Sequence, residues 1–97
     1  MGPISKRDID ALYEAILLLQ SPPEARQFFR DLLTETEIRE FAERWKVAQM
    51  IMDGTPYTTI IGRTGLSSTT VARVARWVKR GTGGYRLVRR RMGSPAD

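Results

Sequence analysis

Hydroxyl and guanidinium side chains recur between residues 57 and 79, and they are the groups in this chain best suited to binding chemistry. Short hydroxyl side chains come first and arginines follow. That order suits a helix that enters a DNA major groove, since small residues let its N-terminal end approach the base edges while long cations reach bases or phosphates. The pattern therefore predicts non-covalent recognition of nucleic acid. The alternative is a solvated basic helix in an ordinary helical bundle.

The same stretch predicts two short helices joined by a tight turn, which is the layout of a helix-turn-helix. Gly65, between Thr64 and Leu66, supplies the left-handed backbone conformation that lets one helix stop and another begin. Ser67 is expected to cap the second helix through its hydroxyl. One apolar stripe is expected to pack the second helix on the first, and it consists of Ile60, Leu66, Val71, Val74 and Val78.

The side of the second helix opposite this stripe is left for a partner. The predicted DNA-binding residues are Thr58, Arg63, Ser67, Ser68, Thr69, Thr70, Ala72, Arg73, Arg76, Lys79 and Arg80. Residues 67 to 76 are expected to enter the major groove. Phosphates are expected to be held by Arg63, Lys79, Arg80 and the arginines between residues 86 and 91. For Arg73 two orientations stay open, one toward a base and one toward the protein interior.

Composition excludes several other classes of function. The 97 residues include no cysteine and no histidine, which removes disulfides, thiolate chemistry, the usual zinc sites and the commonest general base. We therefore expect no enzyme, no bound metal and no cofactor. The longest unbroken apolar run, at residues 15 to 19, is far too short to span a membrane, and no signal peptide is evident. A cytoplasmic protein without a membrane partner is expected.

Charge is distributed unevenly along the chain. Residues 1 to 53 carry seven Lys or Arg and ten Asp or Glu, a net charge of −3, whereas residues 54 to 97 carry nine against one, a net charge of +8. The net charge of +5 therefore resides in the half that holds the predicted helix-turn-helix. Such a split is expected when one face of a protein meets phosphate and another meets water.

Three further helices are predicted before the helix-turn-helix, from residue 6 or 7 to about residue 19, from 24 to 33 and from 37 to 53. Ser21, Pro22 and Pro23 separate the first two, and Thr34 with Glu37 gives a capping signal for the third. More than half the circumference of the third helix is apolar, including Trp45, so this helix is expected to pack on several sides. One small domain cannot cover so broad an apolar surface, and the protein is therefore expected to be an obligate homodimer.

The chain is predicted to be one helical domain over residues 1 to 97. Dimerisation helices occupy residues 6 to 54, the helix-turn-helix residues 57 to 80, and a basic C-terminal segment and tail residues 81 to 97. Residues 85 to 92 are expected to form a short final helix with Tyr85, Leu87 or Val88 packed down. Arg44 stands among apolar positions in the third helix, where an ion pair with Glu40, Glu43 or a partner chain is expected.

A series of short sequences extends along the chain from about residue 11 to residue 85. They are Leu32-Leu33-Thr34, Arg44-Trp45-Lys46-Val47-Ala48, Gly54, Tyr57-Thr58-Thr59-Ile60, Thr64-Gly65-Leu66-Ser67, Thr70-Val71 with Arg73-Val74, and Gly83-Gly84-Tyr85. In combination this series resembles the Trp-repressor superfamily, in particular its YerC/YecD-type branch of small Trp-repressor-related proteins. The resemblance implies an all-α bundle with a C-terminal helix-turn-helix, an intertwined homodimer built from the N-terminal helices, and binding to double-stranded DNA.

The resemblance also implies a possible effector pocket. In the tryptophan-responsive members a corepressor lies between the central and recognition helices, held by two arginines and threonines. At similar positions this chain has Thr34, Arg44, Thr70 and Arg73. Val74 and Trp77 stand where those members have small residues that leave room for an indole. We therefore expect the protein's own side chains to fill the pocket, tryptophan not to act as a corepressor, and any other effector to be unknown from sequence.

The predicted function is a homodimeric, sequence-specific transcriptional regulator, and a repressor in particular. Two alternatives stay open at the level of sequence. One is a non-regulatory nucleic-acid-binding module on the same fold, and the other is a protein-interaction module. Competition with random-sequence duplex separates the first alternative from a regulator, and an affinity that ignores salt favours the second.

Overall fold

A computed structural model describes residues 2 to 93, which form six α-helices and no strand. The helices are α1 (Lys6–Ile16), α2 (Pro22–Leu32), α3 (Glu35–Met52), α4 (Tyr57–Thr64), α5 (Ser68–Arg80) and α6 (Gly84–Arg91). The predicted all-α fold is confirmed. The chain divides into two compact units, Met1–Ile38 and Arg39–Asp97. Within the described residues, no helix is both long enough and apolar enough to cross a membrane.

Helix α1 begins at Lys6 because Ser5 caps it. The Ser5 hydroxyl accepts a hydrogen bond from the Asp8 amide at 3.2 Å, and the Asp8 carboxylate accepts from the Ser5 amide at 2.9 Å, which completes a capping box. The Asp8 carboxylate accepts hydrogen bonds from the Ser5 amide and also from the Ser5 hydroxyl at 3.0 Å, and these two bonds, the backbone one first, lower the pKa of Asp8 below its usual value. The helix ends at Ile16, three residues earlier than predicted.

Helices α2 and α3 also begin at side-chain caps. Pro22 occupies the first position of α2, because its missing amide would lack an intrahelical partner there, so the helix starts two residues before the predicted Glu24. Thr34 and Glu37 form the expected reciprocal pair, with hydrogen bonds of 2.9 and 3.0 Å. This pair starts α3 at Glu35, again two residues before the predicted position.

The first unit has helices but no buried core. None of its described side chains is buried. Its one ion pair, Arg30 with Glu35 at 3.4 Å, lies between exposed side chains and contributes little stability. The apolar faces of α1 and α2 therefore remain available for packing.

The second unit contains the hydrophobic core. Its buried residues are Val47 and Ala48 of α3, Ile60 of α4, and Val71, Val74, Ala75 and Val78 of α5. The predicted valine stripe is thus confirmed as buried. Within this one chain α3 is packed over a narrower arc than its apolar circumference, and its packing against a second subunit stays a prediction. Phe41 and Ala42 are exposed, and Trp45 is half-buried.

The turn between α4 and α5 follows the predicted layout. Gly65 has φ of +72°, and its amide donates to the Ile61 carbonyl oxygen at 2.9 Å, which ends α4 in a left-handed residue. The Thr64 hydroxyl adds a contact that the sequence pattern had not predicted. It donates to the Ile60 carbonyl at 2.7 Å and accepts from the Leu66 amide at 3.2 Å, so it joins the end of α4 to the turn.

Tyr85 packs helix α6 against the core of the second unit. The Tyr85 ring stacks on Trp45 with 6.1 Å between centroids and 16° between planes, and both rings pack against the core. The predicted final helix is confirmed, with its start at Gly84. Leu87 and Val88 stay exposed. Of the predicted tail, Ser94 to Asp97 lie outside the described residues.

Candidate nucleic-acid interface

Helix α5 presents one continuous exposed face. Successive residues turn by about 100° along an α-helix, so the four buried residues occupy one side of α5 and leave the other side outward. The exposed residues on that side are Ser68, Thr69, Ala72, Arg73, Arg76, Trp77, Lys79 and Arg80. Hydroxyl groups therefore lie near the N-terminal end of the face and cations lie further along it. This is the arrangement that the sequence pattern predicted for a groove-binding helix.

Two of the predicted DNA-binding hydroxyls are already hydrogen-bonded within the protein. The Ser67 hydroxyl accepts from the Thr70 amide at 3.1 Å, which caps α5, and lies 3.0 Å from the Thr70 hydroxyl. Thr70 is half-buried. The capping role of Ser67 is thus confirmed. The side chains of Ser67 and Thr70 fix the start of α5, next to the exposed side chains of Ser68 and Thr69.

Helix α4 contributes the two remaining predicted residues. Thr58 lies in its first turn and Arg63 in its last turn, and both are exposed. No Asp or Glu occurs from residue 54 to residue 93, so nothing within this segment neutralises the exposed cations of α4 and α5. A field of unbalanced positive charge attracts polyanions.

The arginines of α6 do not act as one group. Arg86 Nε donates to the Val78 carbonyl oxygen at 3.3 Å, in the last turn of α5. Arg89 donates to the Gln49 carbonyl oxygen at 3.4 Å and pairs with the Asp53 carboxylate, at the end of α3. Cations near helix C-termini are favourable because the helix dipole is negative there, and the Gln49 carbonyl oxygen accepts from Arg89 in addition to the Asp53 amide. Part of each of these two guanidinium groups is therefore already hydrogen-bonded within the protein, and the phosphate contacts expected of the arginines between residues 86 and 91 stay a prediction.

An open cavity of about 980 Å³ lies along one edge of the exposed face of α5. Three of the four predicted effector residues, Arg44, Thr70 and Arg73, line it. The fourth, Thr34, caps α3 within the first unit. Arg73 is exposed and lines the cavity, and both orientations that the sequence left open stay predictions.

The cavity is not filled as the sequence predicted. Val74 is buried beside the core, but Trp77 leaves 59% of its surface exposed while it lines the cavity together with Trp45 and Tyr85. The difference follows from helix geometry. Position 74 faces the packed side of α5, whereas position 77 lies at the edge of its exposed face.

Arg44 forms neither of its two predicted ion pairs within the described chain, and the third predicted partner, a second chain, stays a prediction. Arg44 is exposed, and its guanidinium carbon lies 5.0 Å from the centroid of the Phe41 ring, a cation–π contact within one helix. The ion pairs found among residues 2 to 93 are Arg30 with Glu35 and Arg89 with Asp53, so the expected pair of Arg44 with Glu40 or Glu43 is not formed there. Glu40 and Glu43 do line the same cavity as Arg44.

Sequence analysis missed one residue of this interface. Tyr57, at the start of α4, accepts a hydrogen bond from Lys79 Nζ of α5 at 3.1 Å. These residues line a small notch of about 240 Å³ at the edge of α5 opposite the cavity. No local signal joins two positions separated by 22 residues, although both fall in the segment that the charge distribution had marked.

Fold and exposed basic face together define a helix-turn-helix protein of the DNA-binding class. The family model described as Trp repressor protein matches residues 7 to 93. The chain therefore belongs to the Trp repressor family, which is regulatory and DNA-binding rather than enzymatic.

Similar proteins agree with this assignment. The uncharacterised protein YerC of Bacillus subtilis is 37% identical over 81 residues, which cover 84% of this chain and 78% of YerC. The crystal structure of a TrpR-like protein from Eubacterium eligens matches with a TM-score of 0.87 and 36% identity, covering 92% of each chain. A candidate Trp repressor from Staphylococcus aureus matches with a TM-score of 0.85 and 39% identity, covering 91% of this chain and 88% of that one. The predicted resemblance is confirmed.

Replacing single arginines of α6 by alanine tests which of them stabilise the fold. Arg89→Ala should lower the free energy of unfolding by about 1 kcal/mol, because it removes the contacts with Gln49 and Asp53 at a partly exposed site. Arg90→Ala removes an exposed arginine of the same helix and should leave stability unchanged. Thermal unfolding of both variants measures the difference. Equal losses would contradict a structural role for Arg89.

Proposed function

We propose that this chain is a sequence-specific DNA-binding transcriptional repressor that acts as a homodimer in the cytoplasm and is not an enzyme. The observation that carries the proposal is the exposed face of α5, on which Ser68 and Thr69 precede a run of cations, in a segment without Asp or Glu from residue 54 to residue 93. Hydroxyls near a helix N-terminus suit contacts with base edges, and cations suit phosphates. The family supports the regulatory role.

In the proposed interface, one set of residues recognises the base sequence and another set provides affinity for any duplex. Ser68, Thr69, Ala72 and Arg76 would lie in the major groove, while Arg63, Lys79, Arg80 and Arg90 would contact phosphates. Phosphate contacts bind any duplex and release counterions, so they produce a steep dependence on salt. Base contacts add the preference for one sequence.

The first prediction for this function concerns two residues of the recognition helix. Ser68→Ala or Thr69→Ala should weaken binding to a duplex selected from a random pool more than binding to random duplex, because only base contacts are lost. Arg90→Ala should weaken both alike and reduce the salt slope by about one unit. Affinities measured by fluorescence anisotropy at several salt concentrations give these values.

Thr36→Ala is the matched control, since Thr36 is an exposed threonine in the first turn of α3. It should leave both affinities unchanged. A two-fold symmetric consensus from the selection would support paired helix-turn-helix units. Equal affinity for selected and random duplexes in every protein would instead indicate a non-regulatory nucleic-acid-binding module, and an affinity independent of salt would indicate a protein-interaction module.

The proposed homodimer rests on apolar side chains that the single chain leaves uncovered. The first unit buries no described side chain, yet α1 has a strongly apolar face on which Ile9 is 45% exposed and Tyr13 58% exposed. Two short amphipathic helices gain most of their stability from packing, so helices without a core need a partner surface. A second copy of the chain supplies a matching face through residues 6 to 54.

Ile9→Glu should therefore shift the monomer–dimer equilibrium toward monomer by at least about tenfold, because it places a charge in an apolar contact. Ala11→Glu makes the same charge change on the opposite side of α1 and should leave the dimer intact. Sedimentation equilibrium over a range of protein concentrations measures both. A wild-type chain that is a stable monomer would refute the proposed dimer.

Tryptophan-independent DNA binding is also part of the proposal, and charge balance in the cavity supports it. Arg44 and Arg73 would attract the carboxylate of an amino acid, but Glu40 and Glu43 line the same cavity. Two acidic and two basic side chains leave no net positive charge there. The carboxylate of tryptophan would meet repulsion as well as attraction.

Titrating tryptophan into the protein should accordingly give no saturable binding and no change in DNA affinity. Isothermal titration calorimetry measures the first, and anisotropy with the selected duplex measures the second. Glu40→Gln with Glu43→Gln removes the acidic half of the cavity and serves as the comparison, since binding that appears only in this variant would confirm the charge argument. Saturable binding to wild type, coupled to tighter DNA binding, would contradict it.

A further inference from the structure

Lys79 donates a hydrogen bond to the Tyr57 hydroxyl, and the ion pairs found among residues 2 to 93 do not include Lys79. Lys79 Nζ lies 3.1 Å from the Tyr57 hydroxyl oxygen and 5.5 Å from the centroid of the Tyr57 ring. The hydroxyl oxygen lies outside the ring on its long axis, so a nitrogen at these two distances lies beyond the oxygen rather than over the ring face. The hydrogen bond, and not a cation–π contact, therefore holds the ammonium group.

The two side chains border the notch on α5, which is lined by Tyr57, Ala72, Ala75, Arg76, Lys79 and Arg80. Two of these residues are alanines, whose small side chains leave room for a compact group. Three are cations. A notch of about 240 Å³ with this lining suits one phosphate group, whose oxygens accept hydrogen bonds from several cations at once.

The acceptor of the Lys79 hydrogen bond is a neutral hydroxyl, so it does not neutralise the positive charge of Lys79. A carboxylate in place of Tyr57 would order the lysine but would also neutralise it. A hydroxyl orders it and keeps the positive charge available. The ammonium group has three donors, of which Tyr57 uses one, so two remain for phosphate oxygens.

If the Lys79 side chain is already held in one conformation before DNA binds, less conformational entropy is lost on binding and the affinity is higher. A free lysine side chain loses much rotamer freedom when it meets a phosphate, and that loss weakens binding. Tyr57 has fewer rotatable bonds and begins α4, directly after Pro56, which has the extended conformation of a helix N-cap. It therefore provides a defined position for the hydroxyl.

We propose that Tyr57 is a positioning residue for DNA binding, whose hydroxyl holds Lys79 at the notch so that its ammonium group meets one backbone phosphate. This inference rests on the proposed function. A typical hydrogen bond contributes a factor of about three to ten to an equilibrium constant, which sets the expected effect.

A double-mutant cycle on the full chain tests the proposal, with wild type, Tyr57→Phe, Lys79→Ala and the double variant binding the selected duplex between about 50 and 200 mM salt. Tyr57→Phe should weaken binding about three- to tenfold while the salt slope stays unchanged, because the charge remains. Lys79→Ala should weaken binding and reduce the slope by about one unit. In the Lys79→Ala background, Tyr57→Phe should have no further effect.

Tyr85→Phe is the matched control, because Tyr85 lies in the same unit and its described contact is made by its ring. It should bind as wild type does. Three outcomes would overturn the inference alone while wild type still binds: an unchanged affinity in Tyr57→Phe, a loss that persists without Lys79, or an equal loss in Tyr85→Phe. A wild-type chain that binds no duplex would overturn the proposed function and this inference with it.

Discussion

Packing of the α5 valines against α3 and α4 is the interaction on which the rest of the second unit depends. Val71, Val74 and Val78 share one cluster with Ile60 and Val47. Each is β-branched and buried, so a rotation of α5 about its axis would expose apolar surface and open voids in the core. That constraint fixes which side of α5 faces outward. The same contact therefore builds the core and presents the hydroxyls and cations of the candidate interface.

Positive charge in this part of the chain serves two physical purposes. Arg86 and Arg89 compensate carbonyl groups at the ends of α5 and α3, where helix dipoles are negative. The arginines of α5 are exposed, and among residues 2 to 93 they form no ion pair. Lys79 lies between these cases, since it is held by a neutral hydroxyl and keeps its charge. Net charge alone overstates how much of the basic segment is available to a polyanion.

The two units differ in how their helices are stabilised. In the first, Ser5, Ser21 and Thr34 cap three helices, but no described side chain is buried. Caps determine where a helix begins and contribute little to holding one helix on another. In the second, seven buried residues join three helices. The exposed apolar faces of the first unit are the basis for the proposed homodimer.

The sequence by itself determined the helix order, the turn at Gly65, the cap at Ser67 and the valine stripe, because these depend on residues within a few positions of one another. Helix starts at Lys6, Pro22 and Glu35 follow equally local caps. Tertiary structure decided which arginines of α6 bind carbonyls and that Tyr57 meets Lys79. Those contacts join positions 8 to 40 residues apart, whose separation in space depends on how whole helices pack. No periodicity along one helix specifies that packing.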